Sequence, residues 1–223
     1  MSQNRIEQQL HARISAGGKG LLPYLTAGFP DMATTMQLIR RCDQAGCTAV
    51  EIGFPFSDSI ADGPVIQDSF YRALDAGFRV DDLFEAVADI RAEVSAGLIA
   101  MVSMSLLAKR GTDAFIARAA QAGFDGLIVP DVPVDEAAQL SAEAGSAGLC
   151  NILMEAPTSS TARREWIASR SRGFLYVIAS RGITGERSTV STDLAAHLGA
   201  LRSLTDTPLI VGFGISTPEH VRE

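Results

Sequence analysis

Apolar, β-branched runs recur along the chain, separated by stretches in which apolar residues return every three or four positions. The runs are Gly20–Ala27, Thr48–Phe54, Leu98–Ser103, Gly126–Pro130, Asn151–Met154, Phe174–Ala179 and Pro208–Phe213. The intervening segments Met32–Ala45, Val80–Val94, Thr112–Ala122 and Thr192–Leu204 carry helical spacing, and a short amphipathic helix is predicted near 2–16. This alternation predicts parallel strands joined by crossover helices, with the strands buried on both faces. No GxGxxG follows the first run, while turn and polar residues follow several strands. That pattern favours a (β/α)8 TIM barrel, an α/β fold whose site is assembled from many loops, over a doubly wound sheet. Seven strands can be counted, and the chain reaches Glu223 as a seventh helix begins. The expectation is one barrel domain over 1–223 whose eighth βα unit is missing, with the edges of the first and seventh strands left open.

The second unit is longer than the rest, at about 50 residues to the next strand against about 25–35 elsewhere, and long loops in compact domains are usually functional. The extra length is the stretch VEIGFPFSDSIADGP, Val50 to Pro64. Strand side chains alternate, so Val50 and Ile52 share one face and Ala49, Glu51 and Gly53 the other. If the branched pair packs against helices, Glu51 points into the barrel near its C-terminal mouth. Burial there raises a carboxyl pKa and suits it to proton transfer near neutral pH. The competing reading is a glutamate paired with an arginine, and no basic residue lies nearby in sequence. Asp58 and Asp62 sit among prolines and glycines, where an aspartate is ordinarily a turn former; only the proximity of Glu51 raises Asp62 above that reading.

Two glycine clusters follow late strands, Gly182-Ile183-Thr184-Gly185 and Gly212-Phe213-Gly214-Ile215-Ser216. The second runs into Ser216-Thr217-Pro218-Glu219, a good helix start. Bare amides beside a helix N-terminus bind phosphate, and barrels do so after their last strands. The only lysines are Lys19 and Lys109, neither within a strand, so no buried Schiff-base lysine is available. His11, His197 and His220 lie on helical segments and form no evident metal cluster. Carbon–carbon or proton chemistry therefore falls to carboxylates, with Tyr176 as the remaining protic candidate.

Composition narrows the partners. The chain has 223 residues, 47% of them hydrophobic, enough for one well-buried core, and a formal net charge of -7 leaves no basic surface for nucleic acid or an anionic membrane. No apolar run approaches the roughly 18 residues of a membrane span, and the polar opening MSQNRIEQQLHARI does not read as a signal peptide, so a cytoplasmic protein is expected. Cys42, Cys47 and Cys150 are an odd number without CxxC spacing and read as small reduced core residues.

These residues together resemble the α subunit of tryptophan synthase. The resemblance is carried by Pro23–Gly28 (PYLTAG), Glu51–Asp58 (EIGFPFSD), Ala61–Gln67 (ADGPVIQ), Asp131–Pro133 (DVP), Gly182–Gly185 (GITG) and Gly212–Ser216 (GFGIS). It implies a lyase that cleaves indole-3-glycerol phosphate into indole and glyceraldehyde 3-phosphate late in tryptophan biosynthesis. By matching position, Glu51 is implied as the general acid/base and Asp62 as the group that binds the indole N–H. Tyr24, Ile128, Met154 and Phe213 match indole-pocket positions, with Tyr176 beside them. Gly185 and Gly214 match phosphate-loop positions, and Thr184 a lid position. The resemblance further implies a β-subunit partner in an α2β2 heterotetramer, receiving indole and holding the pyridoxal phosphate; no cofactor is expected in this chain. Pro55, Phe56, Asp58 and Pro133 match docking positions for that partner.

The chain departs from the family pattern in three ways, the largest of them the missing eighth βα unit. Ser103-Met104-Ser105 stands where the family usually has Tyr-x-Asn, and Ala179 where it has serine. Glu155 is an unusual acid at the end of the fifth strand, expected to be a rim charge without a role. Two further readings stay open beside the coupled lyase: a stand-alone indole-forming lyase, and a catalytically dead partner that only binds a β subunit.

Overall fold

The computed structural model describes residues 4–59, 62–179, 194–212 and 217–218, with Val134 and Asp135 described by backbone only. Among these, every strand pairing is parallel, and neighbours in space are neighbours in sequence. β1 (Tyr24–Thr26), β2 (Ala49–Gly53), β3 (Gly97–Met101), β4 (Gly126–Ile128) and β5 (Cys150–Ile152) form one sheet in that order. β6 (Met154–Glu155), β7 (Leu175–Ile178) and β8 (Leu209–Gly212) form a second. The fifth apolar run is thus two strands: it is interrupted at Leu153, whose N–H bonds the Ser171 hydroxyl at 3.0 Å while its carbonyl accepts from Tyr176. One half pairs with β4 and the other with β7, so seven runs become eight strands.

The crossover helices match the helical spacing: α2 (Met32–Gln44), α4 (Val80–Ile90), α6 (Thr112–Ala122) and α9 (Leu194–Arg202). Four further helices among the described residues, α3 (Pro64–Asp75), α5 (Met104–Arg110), α7 (Val134–Ser146) and α8 (Thr161–Arg170), lie outside the segments marked by helical spacing. Their starts are local: Pro64 opens α3, while Ser103 and Ser160 cap α5 and α8 by accepting from backbone N–H groups.

Val50 and Ile52 pack outward with Leu98, Ala100, Leu127 and the helix residues Leu83, Phe84 and Phe115. The alternate positions point inward, where Ala49, Ile99, Ile128, Ile152, Tyr176 and Ile210 meet in one cluster although they come from strands at opposite ends of the order. That shared interior is the curvature of a barrel. The first helix, α1 (Arg5–Ser15), closes its N-terminal end by inserting Ile6 and Leu10, both fully buried. Gly97 and Gly126 admit Ile6, since a Cβ on either would stand 2.7 Å from its side chain. Asn4 fixes the helix from outside, its amide donating to the Asp125 carbonyl at 2.8 Å and the Gly148 carbonyl at 3.0 Å.

Just beyond β2, Phe54 sits among Phe84, Phe115 and Phe124 at ring separations of 5.3–5.9 Å. Such edge and tilted contacts favour the aromatic quadrupoles as well as burial. They pin the end of the strand that carries Glu51.

Candidate active site

Glu51 lies at the centre of β2, 4% exposed, with Tyr24 of β1 and Ile99 of β3 as its register partners. Its face is the inner one, as the alternation predicts. No ion pair or hydrogen bond to its carboxylate occurs among the described residues, and burial alone pushes its pKa up to about 8. It is therefore chiefly protonated at neutral pH and exchanges its proton at little cost, the condition for an acid that must also act as a base.

The mouth of the barrel is shaped by two tyrosines resting on two glycines. The Tyr24 ring and hydroxyl occupy the place of a side chain on Gly53, and Tyr176 does the same over Gly212 on the next strand. In both pairs the glycine stands two residues beyond the tyrosine's register partner, Glu51 in one case and Ile210 in the other. Burial pushes both phenols well above their ordinary range, and the Glu51 charge adds to the shift in each. The Glu51 charge thus acts on both tyrosines.

Asp62 is part-buried before α3. Its pKa is raised, first by burial and then by the charge of Asp131, and its own charge acts on Tyr24. The three acids Glu51, Asp62 and Asp131 therefore converge on one end of the barrel. Asp131 is held by accepting the Met104 N–H at 2.7 Å, at the start of α5. Sequence reasoning gave Asp131 no role; its position just after a strand was the available signal. Gln67 steadies the Asp62 loop by donating its amide to the Asp62 carbonyl at 2.7 Å.

Ile128 is fully buried on the inner face of β4, and Met154 and Tyr176 join it in the inner cluster. Ile99, Met101 and Ile210 belong to the same wall and were missed, although a period of two counted from Glu51 across the register identifies inward positions. Thr184, Gly185, Phe213 and Gly214 lie outside the described residues. Ser103 is buried, caps α5 by accepting from Leu106, and lies 3.0 Å from the Ser105 hydroxyl. The pair thus completes a helix terminus.

Of the docking positions, Asp58 and Pro133 are exposed, Phe56 is half-buried against Phe70 at 5.6 Å, and Pro55 is buried. Glu155 corrects an expectation. It is no rim charge: it is fully buried on the outer face of β6, where one oxygen accepts from Arg164 of α8 at 3.1 Å and the other meets His197 Nε2 of α9 at 2.6 Å. Alternation explains this, since Met154 takes the inward position and sends its neighbour among the helices.

Comparison with known proteins adds independent findings. A family model described as "Tryptophan synthase alpha chain" matches residues 10–223. A tryptophan synthase alpha chain of Microcystis aeruginosa is 43% identical over 204 residues, covering 92% of this chain and 77% of that one. One of Synechocystis is 39% identical over 220 residues, covering 99% and 83%. Among solved structures, Mycobacterium tuberculosis tryptophan synthase superposes with a TM-score of 0.87 at 31% identity, covering 97% of this chain and 82% of that chain. A mutant tryptophan synthase alpha-subunit from Pyrococcus furiosus gives 0.83 at 33% identity, covering 91% and 81%. The fold is accordingly the (β/α)8 barrel. With a barrel mouth built around a buried acid, and a sequence match spanning nearly its whole length, the chain belongs to the tryptophan synthase alpha chain family.

Proposed function

We propose that Glu51 and Asp62 are the catalytic pair with which this chain cleaves indole-3-glycerol phosphate. The chain is a carbon–carbon lyase of tryptophan biosynthesis, releasing indole and glyceraldehyde 3-phosphate, with a β subunit as partner. The observation that carries the assignment is the Glu51 carboxyl, buried without a charged partner among the described residues and pushed up to about 8.

The indole ring is electron-rich at C3, and protonation there turns it into an electron sink. Neutral Glu51 delivers that proton. Asp62, at the mouth, accepts the ring N–H and stabilises the positive charge that develops on nitrogen. The Glu51 carboxylate then takes the proton from the hydroxyl on the carbon attached to C3. The bond between that carbon and C3 breaks, its electrons return to the ring, and an aldehyde forms. One proton is given and one taken, so Glu51 ends as it began.

In this reading Tyr24, Ile128, Met154 and Tyr176 hold the ring by apolar contact, while Thr184, Gly185, Phe213 and Gly214 complete the ring and phosphate sites. The surface around Phe56, Asp58 and Pro133 takes the β subunit in an α2β2 assembly, with Pro55 supporting it from below. Pyridoxal phosphate belongs to that partner. No helix among the described residues is long and apolar enough to cross a membrane, in keeping with a cytoplasmic place. Indole release from indole-3-glycerol phosphate, measured with and without a β subunit, tests the reading. A Glu51→Gln chain that binds substrate and still turns over at the wild-type rate overturns it.

A further inference from the structure

Helix α2 ends in a turn that brings two thiols together. Gly46, at φ +79°, donates its N–H to the Asp43 carbonyl at 2.9 Å, and the Cys47 N–H reaches the Cys42 carbonyl at 3.0 Å. These two bonds define a Schellman motif, in which the side chains three positions before and two positions after the cap meet. Here both are cysteines, whereas the usual contact is aliphatic. Both are free and only partly buried, so solvent reaches them. Cys150, the third cysteine, is buried among the inward-facing strand residues.

We propose that Cys42 and Cys47 form a redox-responsive dithiol, a modification site that closes to an intramolecular disulfide when the protein meets a low-molecular-weight disulfide. Cys47 attacks first. Burial raises the Cys47 thiol above its ordinary range and Asp43 adds to this, but the Cys42 S–H and the Arg13 guanidinium, which donates to the Gly46 carbonyl at 3.5 Å, both work against the rise. Cys42 is the harder thiol to ionise, pushed up to about 11 by burial and by Cys47. The Cys47 thiolate displaces one half of the small disulfide, which leaves as a thiol after taking a proton. The Cys42 sulfur, deprotonated in turn, then attacks the Cys47 sulfur of the mixed disulfide and expels the second half. Two protein thiols are oxidised and one small disulfide is reduced to two thiols. Raised thiol pKa values make the reaction slow at neutral pH, so the dithiol is the resting form in a reducing compartment.

The test uses the full chain, incubated with oxidised glutathione in mildly alkaline buffer, quenched with N-ethylmaleimide and digested with trypsin. No lysine or arginine separates Cys42 from Cys47, so both stay in the one peptide between Arg41 and Arg72. The expected product is that peptide lighter by two hydrogens, free of maleimide and glutathione, and returned to two alkylated cysteines by prior dithiothreitol. In Cys42→Ser the expected product is a lasting glutathione adduct on Cys47. A wild-type peptide that carries maleimide or glutathione on both sulfurs, or that links to a second chain, overturns the proposal. The wild-type readout stands whether or not the variant folds.

Discussion

The Tyr24 hydroxyl lies where a side chain on Gly53 would stand, so the strand position two residues beyond Glu51 is filled by a phenol from its neighbour. Adding a methyl there forces the ring out of place. Gly53→Ala is expected to destabilise the chain by about 1–3 kcal/mol, as overpacking does. It should also lower kcat/KM by about 100-fold, the scale of a misplacement near 1 Å. Adding Tyr24→Leu should recover stability in urea unfolding without recovering turnover. Recovery of both by the double variant removes Tyr24 from the site.

Glu51 supplies a proton in its neutral form, and that form is lost as pH rises through about 8. Turnover is therefore expected to fall on the alkaline side with an apparent pKa near that value. Glu51→Gln should cost at least about 100-fold, within the range of general acid–base contributions. An alkaline limb that persists unchanged in a residually active Glu51→Gln chain assigns the titration to another group.

The same shift fixes a stability profile. The unfolded carboxyl titrates near 4.5 and the folded one near 8, so the folded state binds the extra proton between those values. Stability is full below the unfolded pKa and declines as pH rises through the folded one, by a few kcal/mol on the scale of about 1.4 kcal/mol per unit. Glu51→Gln removes the titrating group, and its unfolding free energy should lie above the wild type at pH 9 and converge with it near pH 5. Urea titrations at the two pH values measure this. A difference independent of pH contradicts the burial.

The sequence carried much of this site because its signals are local. Alternation along AVEIG placed Glu51 inward, and among the described residues no basic group pairs with its carboxyl. The strand-helix rhythm gave the parallel barrel. Contacts between distant segments were hidden: Asp131 lies beside Asp62 only because the ends of β2 and β4 converge at the mouth. Glu155 was misread because its partners are on helices α8 and α9, and the break at Leu153 depends on Ser171. The Cys42–Cys47 contact needed the turn geometry, which spacing alone does not disclose.

Glu155 holds three elements by one carboxylate, joining β6 to α8 through Arg164 and to α9 through His197. Removing a partner from a buried ionic group leaves the others desolvated without compensation, at a cost of about 3–5 kcal/mol. Glu155→Ala is expected to lose that much in urea unfolding. Glu155→Gln, which keeps an acceptor and the shape, should lose less. Equal losses from the two variants argue that volume, not hydrogen bonding, is what the site needs.

Asp131 raises the Asp62 pKa by its charge and holds α5 by accepting the Met104 N–H. Asp131→Asn separates these effects, because an amide oxygen still accepts the Met104 N–H while the charge is gone. Without the nearby negative charge Asp62 ionises more readily, and its pKa falls toward the ordinary carboxylate range. The ionised form is the one that accepts the indole N–H. The acid limb of kcat/KM should therefore move to lower pH in Asp131→Asn, with the thermal midpoint little changed. Asp131→Ala should show the same shift together with a loss of stability from the uncapped amide, of about 0.5–2 kcal/mol. If the acid limb stays in place in both variants, Asp62 is not the group whose ionisation limits the reaction at low pH.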